Sequence, residues 1–233
     1  MPVWDDEEFM QRRASARARL DALSGQKGGN WPDRLAWFRE VYESAGEDPA
    51  QVPWADLEPK QALVDWLAGL AATAPRGRAI DVACGLGDNA QALADAGFTV
   101  TAFDLSDKAI AWARRRFPDS AVRFVQADLF ALPHDFMAAF DLVHETYTIQ
   151  SLPGDLRRRA IEAIANLVAP GGKLLVICRG RDDDEVCDGP PWPLSRAELA
   201  AFEGLGLREV AFEDLLVQRD RAIRHFRVEY CRA

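Results

Sequence analysis

The sequence predicts an α/β fold: a doubly wound, mostly parallel sheet of seven strands with an antiparallel last strand, preceded by a helical prefix. Three observations lead there. From Ala79 onward, short apolar runs alternate with helical stretches at close intervals, the pattern of a parallel sheet with right-handed crossovers. The stretch AIDVACGLGDNA, residues 79 to 90, is a strand that breaks at two glycines and runs into a helix, the βα crevice where such sheets bind ligands. The chain closes on two alternating runs whose link is too short for a crossover helix, so they form an antiparallel hairpin. Residues 1–59 are expected as a prefix or lid, and residues 60–233 as the sheet domain.

The prefix opens with a helix over residues 5 to 24, carrying Phe9, Ala16, Leu20 and Leu23 at helical spacing, and ending at Gly25, Gly28 and Gly29. Asn30 caps a second helix that starts on Trp31 and Pro32 and carries Leu35, Trp37, Phe38, Val41 and Tyr42. So large an aromatic load either pins the prefix to the domain or roofs a substrate pocket; Trp31 and Trp54 are the candidates for the second role. Trp54 stands in VPWADLEP, where flanking prolines hold the chain extended.

Lys60 to Ala74 is the first core helix, with Leu63, Trp66, Leu67 and Leu70 on one face. After the strand at Ala79 to Ala83, Gly85 and Gly87 can take positive φ and let a ligand lie against the main chain. From Asn89 a helix points its first N–H groups back at that turn. The second strand, Thr99 to Leu105, ends in Asp104, and Ser106 caps the helix to Phe117. Val122 to Ala127 is the third strand, with Asp128 and Leu129 at its tip. Phe140 to His144 is the fourth, and the polar groups from Glu145 to Gln150 just past it are costly to bury without partners, so they are expected to line a pocket.

Leu156 to Val168 is a helix, Pro170, Gly171 and Gly172 make a turn, and Lys173 to Cys178 is the fifth strand, with Arg179 at its end. The aspartates of the loop Arg181 to Glu185 read as solvated acids rather than a metal site. Gly189 to Pro193 is a stiff segment around Trp192, and Ser195 caps a helix through Phe202. Leu207 to Val217, a turn at Arg219 to Arg221, and Ile223 to Cys231 form the closing hairpin.

Composition narrows the function classes. With 28 Lys and Arg against 37 Asp and Glu, a net charge of -9 and no Lys/Arg stripe, the chain is a poor partner for a phosphate backbone, and nucleic acid is not expected. The four cysteines lack zinc spacing, which suits a reduced cytoplasmic protein. No membrane span and no transit peptide are expected, and the chain is read as a monomer or homodimer.

The glycine turn fits two chemistries. Gly85, Gly87 and Ala90 satisfy G-x-G-x-x-G/A, and Asp104 lies 19 residues past Gly85, near the spacing of a ribose-binding acid in dinucleotide folds. Asp81, however, sits inside the strand and gives acid-x-Ala-x-Gly-x-Gly; a carboxylate there suits the ammonium and sulfonium of a cationic ligand better than a pyrophosphate. This stretch resembles the first motif of the class I S-adenosylmethionine-dependent methyltransferases, with Ala83 where the commonest form has Gly. DLVHETYTIQSLP is similar to the fourth motif of that family, and the closing hairpin to its last strands. The Pro-Trp phrase at Trp54 and the Gly-Pro-Pro phrase at Gly189 resemble the thiopurine, thiol and halide branch, although the acid that often follows Trp directly is displaced to Asp56.

The resemblance implies S-adenosyl-L-methionine as cofactor, held by Asp81, Ala83, Cys84, Gly85, Gly87 and Asn89, with Asp104, Leu105 and Ser106 at the ribose, Asp128 and Leu129 at adenine, and Glu145 nearby. It implies a substrate pocket of Trp31, Trp54, Tyr147, Gln150, Arg179 and Trp192. The expected reaction is methyl transfer to a small molecule, a thiol in first place because a thiol is partly ionised at neutral pH and needs no strong base. Oxygen or nitrogen methylation of a small natural product is the alternative, with Glu145 as base and Tyr147 orienting; strand alternation puts His144 on the opposite face from Glu145. No catalytic metal is expected. An NAD-dependent oxidoreductase would keep the glycines and Asp104, but none of Tyr42, Tyr147 or Tyr230 is followed four residues later by Lys. A catalytically silent cofactor-binding protein is the third reading.

Overall fold

The computed structural model describes residues 5–22, 27, 30–71, 76–218 and 222–233. The expectations for Leu23, Gly25, Gly28, Gly29, the last residues of the first core helix and the turn at Arg219 to Arg221 lie outside the described residues. Seven strands form one sheet: β1 (Arg78–Val82), β2 (Thr99–Asp104), β3 (Arg123–Gln126), β4 (Phe140–Thr146), β5 (Val168–Arg179), β6 (Leu207–Gln218) and β7 (Ala222–Arg232). Their order is β3-β2-β1-β4-β5-β7-β6. The pairs among β1 to β5 are parallel, whereas β7 runs antiparallel between β5 and β6. The order reverses between β1 and β4, so the ends of those two strands open the crevice that the glycine turn occupies.

Helices cover both faces because strands buried on both sides need apolar cover. On one face α3 (Gln61–Ala68), α4 (Asp88–Asp95) and α5 (Asp107–Arg116) bring Leu63, Leu93 and Ile110 onto Val100, Leu142 and Leu175. On the other, α6 (Gly154–Ala165) and the segment through Phe202 bring Leu156, Ile161 and Ile164 onto Val143, Val176 and Val228. The prefix helices α1 (Glu7–Asp21) and α2 (Trp31–Ser44) share a third cluster with the domain, in which Leu20, Trp37, Val41 and Val52 meet Leu86 of the glycine turn and Trp112 of α5. Burying four such side chains is worth roughly 6–12 kcal/mol before the entropy of ordering the prefix is subtracted.

Local chemistry accounts for most of the boundaries. Asp6 caps α1, Asn30 caps α2 and Ser106 caps α5, each side chain accepting from a backbone N–H three residues on. Three elements differ from expectation. The helix after Lys60 stops at Ala68, because Gly69 closes it. Pro170, Gly171 and Gly172 do not precede β5 but lie within it, as an irregularity where Phe140 pairs with Val168 and Leu142 already with Lys173, Gly171 taking φ +72°. The helix capped by Ser195 is α7 (Arg196–Leu199), and it tightens into 3-10 geometry over Ala200–Leu205.

Candidate active site

The glycine turn is built by sterics. Gly87, at φ +90°, starts α4, and a Cβ there would lie 3.0 Å from the Phe124 ring of β3 and 3.2 Å from Ala113 of α5. Gly85, at φ +54°, passes under the prefix, where a Cβ would come 3.2 Å from the Tyr42 hydroxyl. Ala83 holds φ +50° without being glycine, a strained position directly before the turn. Arg116 fastens the far side, donating to both Asp88 oxygens at 2.6 Å and to the Leu86 carbonyl at 2.7 Å. Asn89 accepts from the Lys60 N–H at 2.9 Å and ties α4 to the entrance of α3.

Acids stand on the strands around this turn. Asp104 accepts from Gly85 N at 3.0 Å and from Ser106 N at 2.9 Å, and burial pushes its carboxyl up to about 6 against those two amide contacts. Leu105 follows it, half-buried. Asp81 is paired across the sheet with His144, whose Nδ1 lies 2.6 Å from Asp81 Oδ1, while its Nε2 lies 2.8 Å from the Thr146 hydroxyl. The other Asp81 oxygen is buried without a hydrogen-bond partner. Cys84 lies between these two acids, and burial and their charges push its thiol up. Asp128, at the tip of β3, accepts from Phe130 N at 2.8 Å and from the indole N–H of Trp31 at 3.0 Å; Leu129 beside it is buried.

The prefix meets the crevice through Tyr42 and Trp54. The Trp54 indole donates to the Tyr42 hydroxyl at 2.9 Å, and its ring packs against Trp37 and Phe38. Burial and the Asp104 charge raise the Tyr42 hydroxyl well above its ordinary value, so it is a neutral phenol over the glycine bend. Trp31 instead packs edge-on against Phe130, ring centroids 4.6 Å apart, at the β3 end of the crevice.

Beyond β4 the picture changes. Glu145 does not line an open pocket: it is fully enclosed on the face opposite His144, accepting from the N–H groups of Thr148 at 2.6 Å and Ile149 at 3.1 Å, with its second oxygen unpartnered. Burial pushes its carboxyl up to about 7. Gln150 braces the end of β5, accepting from Arg179 N at 2.6 Å through its side chain and from Trp192 N at 2.7 Å through its carbonyl. Tyr147 takes φ +68°, a left-handed conformation that a bulky residue rarely adopts, and this turns its ring toward β7. Its hydroxyl lies 2.6 Å from Nε2 of His225, and the Lys60 ammonium stands 4.7 Å from its ring centroid. Lys60 is itself ion-paired with Asp56, which Arg13 of α1 reaches from the other side.

Residues 79–172 match the family described as methyltransferase domain. That stretch is similar to S-adenosylmethionine-dependent methyltransferase domains. Among relatives, a ubiquinone biosynthesis O-methyltransferase of Aromatoleum aromaticum is 30% identical over 148 residues, covering 62% of this chain and 55% of that protein. A thiopurine S-methyltransferase of Gluconobacter oxydans is 30% identical over 137 residues, covering 52% of this chain and 61% of that protein. The chain thus spans about half to three fifths of the length of these curated relatives. A solved 1,6-didemethyltoxoflavin-N1-methyltransferase of Burkholderia thailandensis with bound S-adenosylhomocysteine has the same fold, with a TM-score of 0.66 at 20% identity over 88% of this chain and 91% of that one.

The methyltransferase cofactor fits the residues present. The unpartnered Asp81 oxygen is a buried acceptor suited to an ammonium or sulfonium, and the two glycines leave main chain bare beside it. Tyr42, Lys60 and His225 are not among the site residues expected from the sequence. Tyr42 and His225 become visible only once the prefix and β7 are folded onto the crevice, since each meets its partner from a distant part of the chain.

Proposed function

We propose that this chain transfers the methyl group of S-adenosylmethionine to a small-molecule nucleophile. The observation that carries the proposal is the buried, unpartnered Asp81 oxygen beside the Gly85–Gly87 bend, with Asp104 at the next strand end. In this reading Asp104 accepts from the ribose hydroxyls, Asp128 from the adenine amino group, and the amides of the glycine turn lie along the amino-acid part. Leu105, Ser106 and Leu129 shape the nucleoside slot, and Cys84 and Asn89 its rim. Residues 1–59 act as the lid over residues 60–233, with Tyr42 and Trp54 closing it above Gly85.

The cofactor supplies a sulfonium that is already a strong electrophile, so the protein's work is to align the acceptor and keep water out. Tyr147 stands on a turn that Glu145 sets through the amides of Thr148 and Ile149. Gln150, Arg179 and Trp192 make the wall on the β5 side, and Trp31 the wall near Asp128. A thiol is the acceptor placed first, because it ionises near neutrality. The name of the Gluconobacter relative points the same way, whereas that of the Aromatoleum relative points to oxygen.

Calorimetry with S-adenosylmethionine, S-adenosylhomocysteine and NAD tests the cofactor, and a panel of thiols and catechols scored for methylated product tests the acceptor. Binding of both sulfur nucleosides without NAD, and methylation of a thiol, are the expected results. Binding of NAD alone overturns the proposal.

A further inference from the structure

We infer that Tyr147 and His225 together form the base that takes the proton of the methyl acceptor: Tyr147 touches the acceptor, and His225 is the positioning residue behind it. The inference rests on the methyl-transfer reading of the site for its chemistry, but on geometry for its residues. His225 is almost wholly buried, with Nδ1 3.0 Å from the Ile223 carbonyl and Nε2 2.6 Å from the Tyr147 hydroxyl. The neutral tautomer with hydrogen on Nδ1 satisfies both contacts: Nδ1–H donates to the carbonyl, and Nε2 accepts from the phenol. A proton can therefore reach the imidazole by way of Tyr147.

Two further observations converge on the phenol. The chain bears the strain of φ +68° at Tyr147, and backbone strain of this kind persists where the surroundings enforce it, often at reaction centres. The Lys60 ammonium lies over the ring, where positive charge stabilises the phenolate character that builds up as the proton leaves. Glu145, the acid the sequence suggests as base, points into the other face of the sheet and is occupied with turn amides.

Arg179 is the register partner of His225 on β5 and apolar Leu215 its partner on β6, while Lys60, ion-paired with Asp56 at the entrance of α3, stands over the Tyr147 ring. On its own strand Arg224 is held by Asp214 and Asp182, and Arg227 by Glu213.

The step balances without a further reagent. The acceptor's lone pair forms a bond to the methyl carbon, and the carbon–sulfur bond breaks with its electron pair retained by sulfur. The acceptor's S–H or O–H proton passes to the Tyr147 oxygen as the Tyr147 proton passes to His225 Nε2. The products are the methylated acceptor, the thioether and an imidazolium, which returns its proton through Tyr147 once the product has left. The acceptor class is then a protic nucleophile, thiol or phenol, that binds with its proton still in place.

Tyr147→Phe and His225→Gln in the full chain test this, both checked for unchanged melting. With S-adenosylhomocysteine present, 4-nitrophenol reports by visible absorption whether it binds as the anion. The wild type should ionise the bound probe at a pH where it is protonated in solution, and each variant should lower the ionised fraction about tenfold. The chain has three histidines, so imidazole ¹⁵N spectra can follow Nε2 of His225, which should gain a proton when the probe binds. In turnover, kcat rather than KM should fall, and the loss should grow along a thiophenol and phenol series as the acceptor becomes less acidic. If His225→Gln fails to fold, Tyr147→Phe, which keeps the ring, decides alone.

An anion band that is absent in the wild type, or equal in wild type and Tyr147→Phe, overturns the inference, as does a uniform loss across the acceptor series. A chain that ionises the probe yet methylates nothing supports the base while removing the methyl-transfer reading. Methylation at equal rates in wild type and both variants does the reverse.

Discussion

The two halves of the crevice are built on different principles. Around β1 to β3 two of the acids sit on backbone amides of the fold's own motif, Asp104 on those of Gly85 and Ser106 and Asp128 on that of Phe130, with His144 and Trp31 as the distant partners of Asp81 and Asp128. Around β4 to β7 the groups hold one another across long stretches of chain, Tyr147 with His225 and Trp66 with Glu229. The first half is a socket whose backbone form follows from a short stretch of sequence. The second is assembled from parts, and its form follows from which strands and helices come together. A common cofactor with a variable acceptor asks for that division.

The largest effect should come from the socket. Asp104→Ala leaves the Gly85 and Ser106 amides without their acceptor and removes the charge expected to meet the ribose diol. Charge-assisted hydrogen bonds of this kind are worth about 1.5–3 kcal/mol. Affinity for S-adenosylhomocysteine, measured by calorimetry, should fall roughly ten- to hundred-fold. Unchanged affinity breaks the assignment of β1 to β3 as the nucleoside half.

Glu145→Gln probes the boundary between the halves. Burial pushes Glu145 up to about 7 and Asp104 up to about 6, so both acids bind protons more tightly folded than unfolded. For an acid raised in this way stability is fully present below its unfolded value and is lost as pH rises through the folded one. For Glu145 that window runs from about 4.5 to about 7. The variant should therefore match the wild type near the bottom of the window and exceed its stability above it, by on the order of 2 kcal/mol in denaturant titrations. Cofactor binding should stay intact, and turnover should drop several-fold because a neutral amide oxygen is a weaker acceptor than the carboxylate for the Thr148 and Ile149 amides that set the turn carrying Tyr147. An undisturbed rate takes Glu145 out of the site.

The same division sets what can be read from the sequence. The alternation of strands and helices, the glycine turn and the caps Asn30 and Ser106 are all local signals, and they lie where the residues put them. His144 is readable as a core residue on the face opposite Glu145, but not as the partner of Asp81, because register across β1 and β4 is a property of the sheet. His225 gives no signal in an alternating strand. Its importance comes from the antiparallel insertion of β7 beside β5, which sets it level with Arg179 and within reach of Tyr147. Trp54 and Trp31 carry the same sequence signal, an aromatic residue beside proline in the prefix; the fold separates them, one against Tyr42 and the other against Asp128.

Trp31 offers a finer test of the socket. Its indole N–H occupies the Asp128 oxygen that the adenine amino group is expected to use. Trp31→Phe keeps the ring contact with Phe130 and frees that oxygen; with one hydrogen bond worth about 1 kcal/mol, S-adenosylhomocysteine should bind a few-fold more tightly. Weaker binding in the variant makes Trp31 part of the nucleobase grip and moves the prefix into the socket half.

The smallest effect is expected at Ala83. A left-handed conformation costs an L-residue about 1–2 kcal/mol, and glycine escapes that cost while losing about 0.5–1 kcal/mol more entropy on folding. Ala83→Gly, at φ +50°, should then be stabilising by up to about 1 kcal/mol, a rise of a few degrees in Tm for a chain of this size. Affinity for the cofactor should move by less than about twofold, since a single methyl is removed. A loss of stability means that the Ala83 methyl packs against something worth more than the strain, and that the socket, like the acceptor half, depends on side chains meeting across the fold.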